Sequence, residues 1–135
     1  MRIVPFLLAS ALIGGCAAQP VAPVRTAKAQ QHLDKLIAGK VAGAPQACLP
    51  HRSGGDMVVI DDATIAFRHG SGRTYVNHLQ GGGCPNLANN TLITRSFGGT
   101  GLCRGEIAHV ANVSAGVTLG SCVIGDFVPY TRPRG

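Results

Sequence analysis

Four cysteines constrain the fold of this chain more than any other feature. Cys48, Cys84, Cys103 and Cys122 are separated by 36, 19 and 19 residues. Zinc sites usually bring two ligands close together in sequence, as in C-x2-C, and these separations disfavour such a site. An even number of dispersed cysteines instead favours two structural disulfides in an exported chain, with free thiols or a metal site as the less favoured alternatives.

The four cysteines allow three disulfide pairings. We favour Cys84–Cys103 together with Cys48–Cys122, because the second bridge would join the first strand of the domain to the last. Each bridge is expected to add about 3–5 kcal/mol through the loop entropy that it removes from the unfolded chain. Disulfides are expected to be important for stability in this chain, because it has no Trp and only six Phe and Tyr residues to fill a core.

The 19 glycines fall at chain reversals and indicate a fold with many turns. Short strands are predicted between these reversals, at residues 56–60, 64–68, 73–79, 91–97, 106–113, 117–119 and 122–130. The last of these is interrupted at Gly125-Asp126. We therefore expect a mainly β fold, a small antiparallel barrel or sandwich, in a disulfide-stapled domain over residues 48–132.

One short helix is predicted before the strands, within a helix-and-connector segment over residues 26–47. Thr26 can cap a helix over residues 27–38, and Gly39 suits the position after its end. Leu33, Leu36 and Ile37 form one apolar stripe. We expect this stripe to pack on the β domain, with a docking or membrane-surface helix as the alternative.

The N terminus has the character of an export signal. Arg2 provides a positive charge, and residues 3–13 are apolar apart from Ser10. Two glycines then precede Cys16. This run resembles the lipobox of bacterial lipoproteins, in which the cysteine is acylated and becomes the first residue of the mature protein.

The lipobox resemblance implies a signal peptide over residues 1–15, then a lipidated Cys16 and a Pro/Ala-rich tether over residues 16–25. The lipid would hold the protein on a membrane. Ala17 follows the cysteine where inner-membrane retention would require Asp, so the resemblance implies the periplasmic face of the outer membrane. An ordinary secretory signal cut after Ala18 and an uncut anchor are the alternatives.

A second resemblance covers residues 33–130. It rests on the ordered set Cys48-Leu49-Pro50, Asp61-Asp62-x-Thr64-Ile65-x-Phe67, Tyr75-x-Asn77-x-Leu79, Cys84-Pro85-x-Leu87, Leu102-Cys103-x-Gly105 and 122–129. This set is similar to a family of small exported bacterial proteins known as a domain of unknown function. Glu106 departs from that pattern, which has Asp there. The resemblance implies the cysteine framework and a compact β-rich domain, and no activity or ligand.

The charges exclude a focused nucleic-acid site. The chain has 12 Lys and Arg residues against 6 Asp and Glu, but the basic residues are spread along the sequence and aromatic residues are scarce. We expect solvated surface charge with some attraction to anionic membranes or envelope polymers. Five histidines are present at no ligand spacing, so we expect no metal and no cofactor. They are His32, His51, His69, His78 and His109.

Two hypotheses about function follow. The first is a non-enzymatic envelope lipoprotein, a binding or structural accessory module that contacts the membrane through its lipid and an envelope protein or polymer as partner. The second is a small periplasmic enzyme, similar to a hydrolase, whose site is assembled from dispersed residues such as His78, Asp62 and Arg73. The first is favoured, because no titratable groups lie at a spacing that places them together.

Overall fold

A computed structural model describes residues 24–50, 56–70, 72–95 and 101–134. The predicted signal peptide, Cys16 and the tether up to residue 23 lie outside the described residues. So do residues 96–97, the predicted end of one strand, and His51.

The predicted helix is confirmed as α1, Ala27–Ile37. The Thr26 side chain accepts a hydrogen bond from the Ala29 amide at 3.2 Å, which satisfies one of the free N–H groups of the first turn. Gly39 follows the helix with a φ of 69°, a conformation that glycine adopts without steric cost. The helix therefore starts and stops where its local sequence dictates.

Within the described residues, eight antiparallel strands form two sheets, which confirms the mainly β class. The first sheet has the order β1-β8-β4-β3-β2 and the second the order β5-β6-β7. In the described ranges, no strand pairing closes either sheet into a barrel. The strands are β1 Val41–Ala42, β2 Met57–Asp61, β3 Thr64–His69, β4 Arg73–His78, β5 Thr91–Thr94, β6 Ile107–Asn112, β7 Val117–Val123 and β8 Phe127–Thr131, and a single 3-10 turn spans Leu87–Asn89.

The two faces of the first sheet are buried against different partners. Alternate residues Ile65, Phe67 and Tyr75 enter a core that also contains Val110 of the second sheet. The intervening residues Ala66 and Val76 face the helix. This alternation is the period-two pattern of a strand with both faces covered.

The helix packs its apolar stripe on the first sheet, as predicted. Ala29 and Leu33 are buried against Ile60, Ala66 and Val76. Leu36 and Ile37 are partly buried in the same cluster.

The strands near the C terminus differ from the prediction. Residues 117–119 are the start of a seven-residue strand, β7, that runs on to Val123. Cys122 therefore belongs to the three-stranded sheet, and the last strand begins only at Phe127. The chain crosses between the sheets at residues 124–126, where the interruption at Gly125-Asp126 was predicted.

The structure contains two disulfides, as predicted, but the favoured pairing is wrong. The bridges are Cys48–Cys103 and Cys84–Cys122. Cys48 lies beside Cys103 because the Leu49 amide donates to the Leu102 carbonyl at 2.8 Å, which aligns the two segments. Cys122 lies in β7, where it bonds to Cys84 in the loop after β4.

Candidate functional site

The three residues of the hypothetical enzyme site serve different parts of the fold. Arg73 begins β4 and His78 ends it, so they are about 17 Å apart along the strand. Arg73 donates to the buried Tyr75 hydroxyl at 3.3 Å. Asp62 accepts hydrogen bonds from the amides of Asn86 and Ala88, at 3.2 and 2.8 Å, and so caps the 3-10 turn.

His78 belongs to a polar cluster at the start of the helix. Arg25 donates to Asp61 at 2.7 Å and to the hydroxyl of the buried Thr64 at 2.5 Å. The same hydroxyl lies 3.5 Å from Nδ1 of His78. Arg25, the last residue of the predicted tether, is thus bound to the first sheet.

The ring of His78 favours its neutral form. Desolvation lowers the pKa of His78, the positive charge of Arg25 lowers it further, and Asp61 acts in the opposite direction. Asp61 is itself engaged by Arg25 and by the Ala63 amide at 2.8 Å. The cluster therefore joins the helix start to the end of β4, and its polar atoms are used within the fold.

A basic pocket lies at the other end of the first sheet, and we name it the arginine pocket. It occupies about 580 Å³ beside the turn that joins β3 to β4. Three arginines and a histidine contribute to its wall. The lining residues are His69, Gly72, Arg73, Thr131, Arg132, Pro133 and Arg134.

The arginine pocket corrects the expectation that the basic side chains stay dispersed. β4 and β8 are neighbours in the sheet, and Arg73 pairs with Thr131 in their register. The first residue of β4 therefore lies beside the chain that leaves β8, where Arg132 and Arg134 follow. The Arg-Pro-Arg run just after the last predicted strand was the signal that sequence reasoning missed.

A second concavity, the Glu106 groove, lies on the three-stranded sheet. It occupies about 790 Å³ and is lined by Arg95, Gly105, Glu106, Ile107, His109 and Thr118. One carboxylate oxygen of Glu106, Oε2, is buried without a hydrogen-bond partner. The carboxylic acid of Glu106, the imidazole of His109 and the guanidinium of Arg95 therefore line one groove. The three residues predicted for an enzyme site share no such groove.

The four cysteines after Cys16 form the two disulfides. In the described ranges, no three side chains among His, Cys, Asp and Glu gather as a set that could hold a metal ion. No helix within those ranges has the length and apolar character needed to cross a bilayer.

Comparisons with protein-family models, with curated proteins and with solved structures found no match.

Proposed function

We propose that this chain is a lipid-anchored protein of the bacterial cell envelope that works as a binding or structural accessory module. The lipid is attached at Cys16, and the domain stands on the periplasmic face of the outer membrane. The observation that carries the proposal is the pairing of all four remaining cysteines in two bridges. Structural disulfides persist in oxidising compartments, which agrees with export through a lipobox signal.

We also propose that the domain is a two-layer sandwich. Side chains from both sheets enter one core, including Phe67 and Phe127 from the first sheet and Val110 and Leu92 from the second. The phenylalanine ring centroids are 5.9 Å apart. The Cys84–Cys122 bridge links the second sheet to the loop after β4. Such a rigid body suits a module that presents a surface.

The placement of the polar groups supports a binding role over catalysis by His78, Asp62 and Arg73. Each of these side chains contacts a different part of the fold, as described above. The enzyme alternative has one observation in its favour, the unpartnered Glu106 oxygen in a groove shared with His109 and Arg95. The enzyme alternative is therefore assigned to the Glu106 groove.

The anchor is tested by expressing the full-length chain in a Gram-negative host with an alkyne-labelled fatty acid. We expect the wild type to be labelled and to sediment with the outer membrane. Cys16→Ser should lose the label and leave the membrane fraction. Ala17→Asp should keep the label and move to the inner membrane, whereas Ala17→Ser, the matched control, should stay in the outer membrane.

A mature chain that begins after Ala18 and carries no lipid contradicts the anchor. The enzyme alternative is tested separately, by complementation of a deletion strain. Glu106→Gln and His109→Ala are expected to restore its phenotype as the wild type does. Loss of complementation by either variant, in a protein that is still folded and membrane-attached, favours the enzyme.

A further inference from the structure

The arginine pocket is formed at one end of the three inner strands of the first sheet, β8, β4 and β3. His69 ends β3, Arg73 begins β4 and Thr131 ends β8, and the register pairs Arg73 with both of the others. Three neighbouring strand ends therefore place their side chains around one opening. Arg132 and Arg134 follow the end of β8 and also line the pocket.

Two features restrict conformational freedom at this pocket, one in the Arg73 side chain and one in the backbone after β8. The Arg73 guanidinium is held by the hydroxyl of Tyr75, whose ring is buried in the core and 1% exposed. Pro133 stands between Arg132 and Arg134, and its ring fixes one backbone dihedral between them. A guanidinium held in place loses less conformational entropy when it binds an anion than a free side chain does.

No Asp or Glu side chain lines this pocket. All six Asp and Glu residues lie in the described ranges, and none of them lines it. The three ion pairs among the described residues use Arg25, Arg68 and Arg104. Asp34 accepts from Gln30, Asp62 caps the 3-10 turn, and Glu106 lies on the other sheet.

The positive charge of Arg132 also acts on a nearby lysine, Lys40. Lys40 donates to the Leu36 carbonyl at 2.8 Å and to the Thr74 hydroxyl at 2.7 Å, and it has no carboxylate partner in the described ranges. Burial lowers the pKa of Lys40, and the charge of Arg132 lowers it further. The positive charges at this end therefore act on each other across the sheet.

From this arrangement we infer that the arginine pocket is a binding site for a phosphate group, held by Arg73, Arg132 and Arg134 with the Thr131 hydroxyl beside them. Guanidinium groups bind phosphate through paired hydrogen bonds, and several can share its oxygens. An ammonium would act only as a point charge. The inference deepens the proposed binding role and rests on it.

The size of the pocket indicates which kind of molecule carries the phosphate group. Ligand pockets commonly occupy about 300–1,000 Å³, and the 580 Å³ here exceeds what a free phosphate ion needs. A phosphorylated envelope glycan and a phospholipid headgroup share the required chemistry. The experiment must therefore separate a soluble phosphate from a headgroup in a membrane.

The test uses the full chain, purified from an exporting host in a non-ionic detergent. Inorganic phosphate is titrated by calorimetry into the wild type, into Arg132→Gln/Arg134→Gln and into Lys28→Gln/Lys35→Gln. The two double variants have the same net charge, but the lysines lie on α1, outside the pocket. Thermal unfolding checks that each variant is folded. Lipidation is scored independently by fatty-acid labelling, so failure of the anchor and failure of the site are distinguishable.

We expect the arginine variant to bind phosphate at least about a hundredfold more weakly, since a hydrogen bond to a charged group is worth about a factor of ten or more for each guanidinium removed. The lysine variant should stay within about twofold of the wild type. Arg73→Lys should weaken binding, because the lysine keeps the charge and loses the paired donors. Equal losses in the two double variants, or no phosphate binding by the wild type, overturn the site.

Vesicles identify the source of the phosphate. Phosphatidylcholine vesicles with and without phosphatidylglycerol are mixed with the Cys16→Ser forms of the same proteins, which carry no lipid that would attach them to any vesicle, and sedimented. If the site is present, phosphatidylglycerol-dependent binding that the arginine variant loses identifies a lipid headgroup. Phosphate binding without such vesicle binding supports a soluble or polymer-borne phosphate. Vesicle binding without phosphate binding refutes the site and indicates diffuse attraction to an anionic surface.

Discussion

Asn77 is the polar side chain on which the junction between the two sheets most depends. It lies in β4, is 0% exposed, and faces the segment between β7 and β8. Its Nδ2 donates to the carbonyls of Gly125 at 2.8 Å and Asp126 at 3.2 Å. Its Oδ1 accepts from the Gly125 amide at 3.1 Å. One amide group therefore satisfies three backbone groups at the crossing between the sheets.

Asn77→Ala removes all three hydrogen bonds. The amide and carbonyl of Gly125 are left buried without a partner, at a cost of about 1–3 kcal/mol each, while the partly buried Asp126 carbonyl can turn to water. We expect a total loss of about 3–5 kcal/mol. This is a large share of the roughly 5–15 kcal/mol that stabilises a typical domain.

Asn90→Ala is the matched control. Asn90 also donates from its side-chain amide to a backbone carbonyl, that of Asn86, at 2.8 Å, but this bond is exposed to solvent. We expect a loss of about 0.5 kcal/mol or less. Denaturant unfolding with the disulfides intact measures both variants, and a shift in the midpoint at constant slope reports the free energy of unfolding.

Asn77→Asp distinguishes hydrogen bonding from packing, because it keeps the shape of the side chain. An ionised carboxylate would face the carbonyls of Gly125 and Asp126, so burial should raise its pKa above the usual value of about 3.9. Protonation restores a donor. The stability of this variant relative to the wild type should therefore be greatest at low pH and be lost as the pH rises through the raised pKa. If Asn77→Ala costs no more than Asn90→Ala, the account of this junction is wrong.

Three further outcomes are expected. A Cβ at Gly125 would overlap the His78 carbonyl, so Gly125→Ala should cost about 3 kcal/mol, whereas Gly120→Ala meets open space and should change the unfolding free energy by less than about 1 kcal/mol. Because the pKa of His78 is lowered in the folded protein, the free energy of unfolding should fall as the pH falls from about 6.5 through the pKa of the folded state. Arg25→Gln should raise the pKa of His78 in an NMR titration, and a lower pKa in this variant would contradict the role given to the Arg25 charge. Replacing both cysteines of the Cys84–Cys122 bridge, which spans 38 residues, should cost about 4 kcal/mol, and peptide maps that lack this linkage in the wild type would refute the pairing.

The features that sequence reasoning predicted well are those that neighbouring residues determine. Thr26 and Gly39 bound the helix because a cap and a left-handed glycine act within one turn of the chain. The apolar stripe ending at Leu36 and Ile37 indicated which face would be buried. Gly70 has a φ of 59° in the turn between β3 and β4, where a hairpin was predicted.

The candidate sites were less predictable, because they join residues that are far apart in sequence. Arg73 and Arg132 line one pocket because β4 and β8 are neighbours, and no local pattern reports which strands pair. The contacts of Arg25 with Asp61 and Thr64 also join residues that are far apart in sequence. Glu106 was noted only as a departure from a resemblance, since its burial in a groove depends on how β6 packs.

The sequence by itself determined the class of this protein: a mainly β domain with one capped helix and enough cysteines for two bridges. These properties follow from turn residues, side-chain periodicity and composition. Only the tertiary structure decided which cysteines pair and where the positive charges gather. The reason is that β7 and β8 lie in different sheets, so Cys122 bonds to Cys84 while Arg132 lines one pocket with Arg73. Strand order depends on the packing of the whole core, in which each pairing competes with all the others.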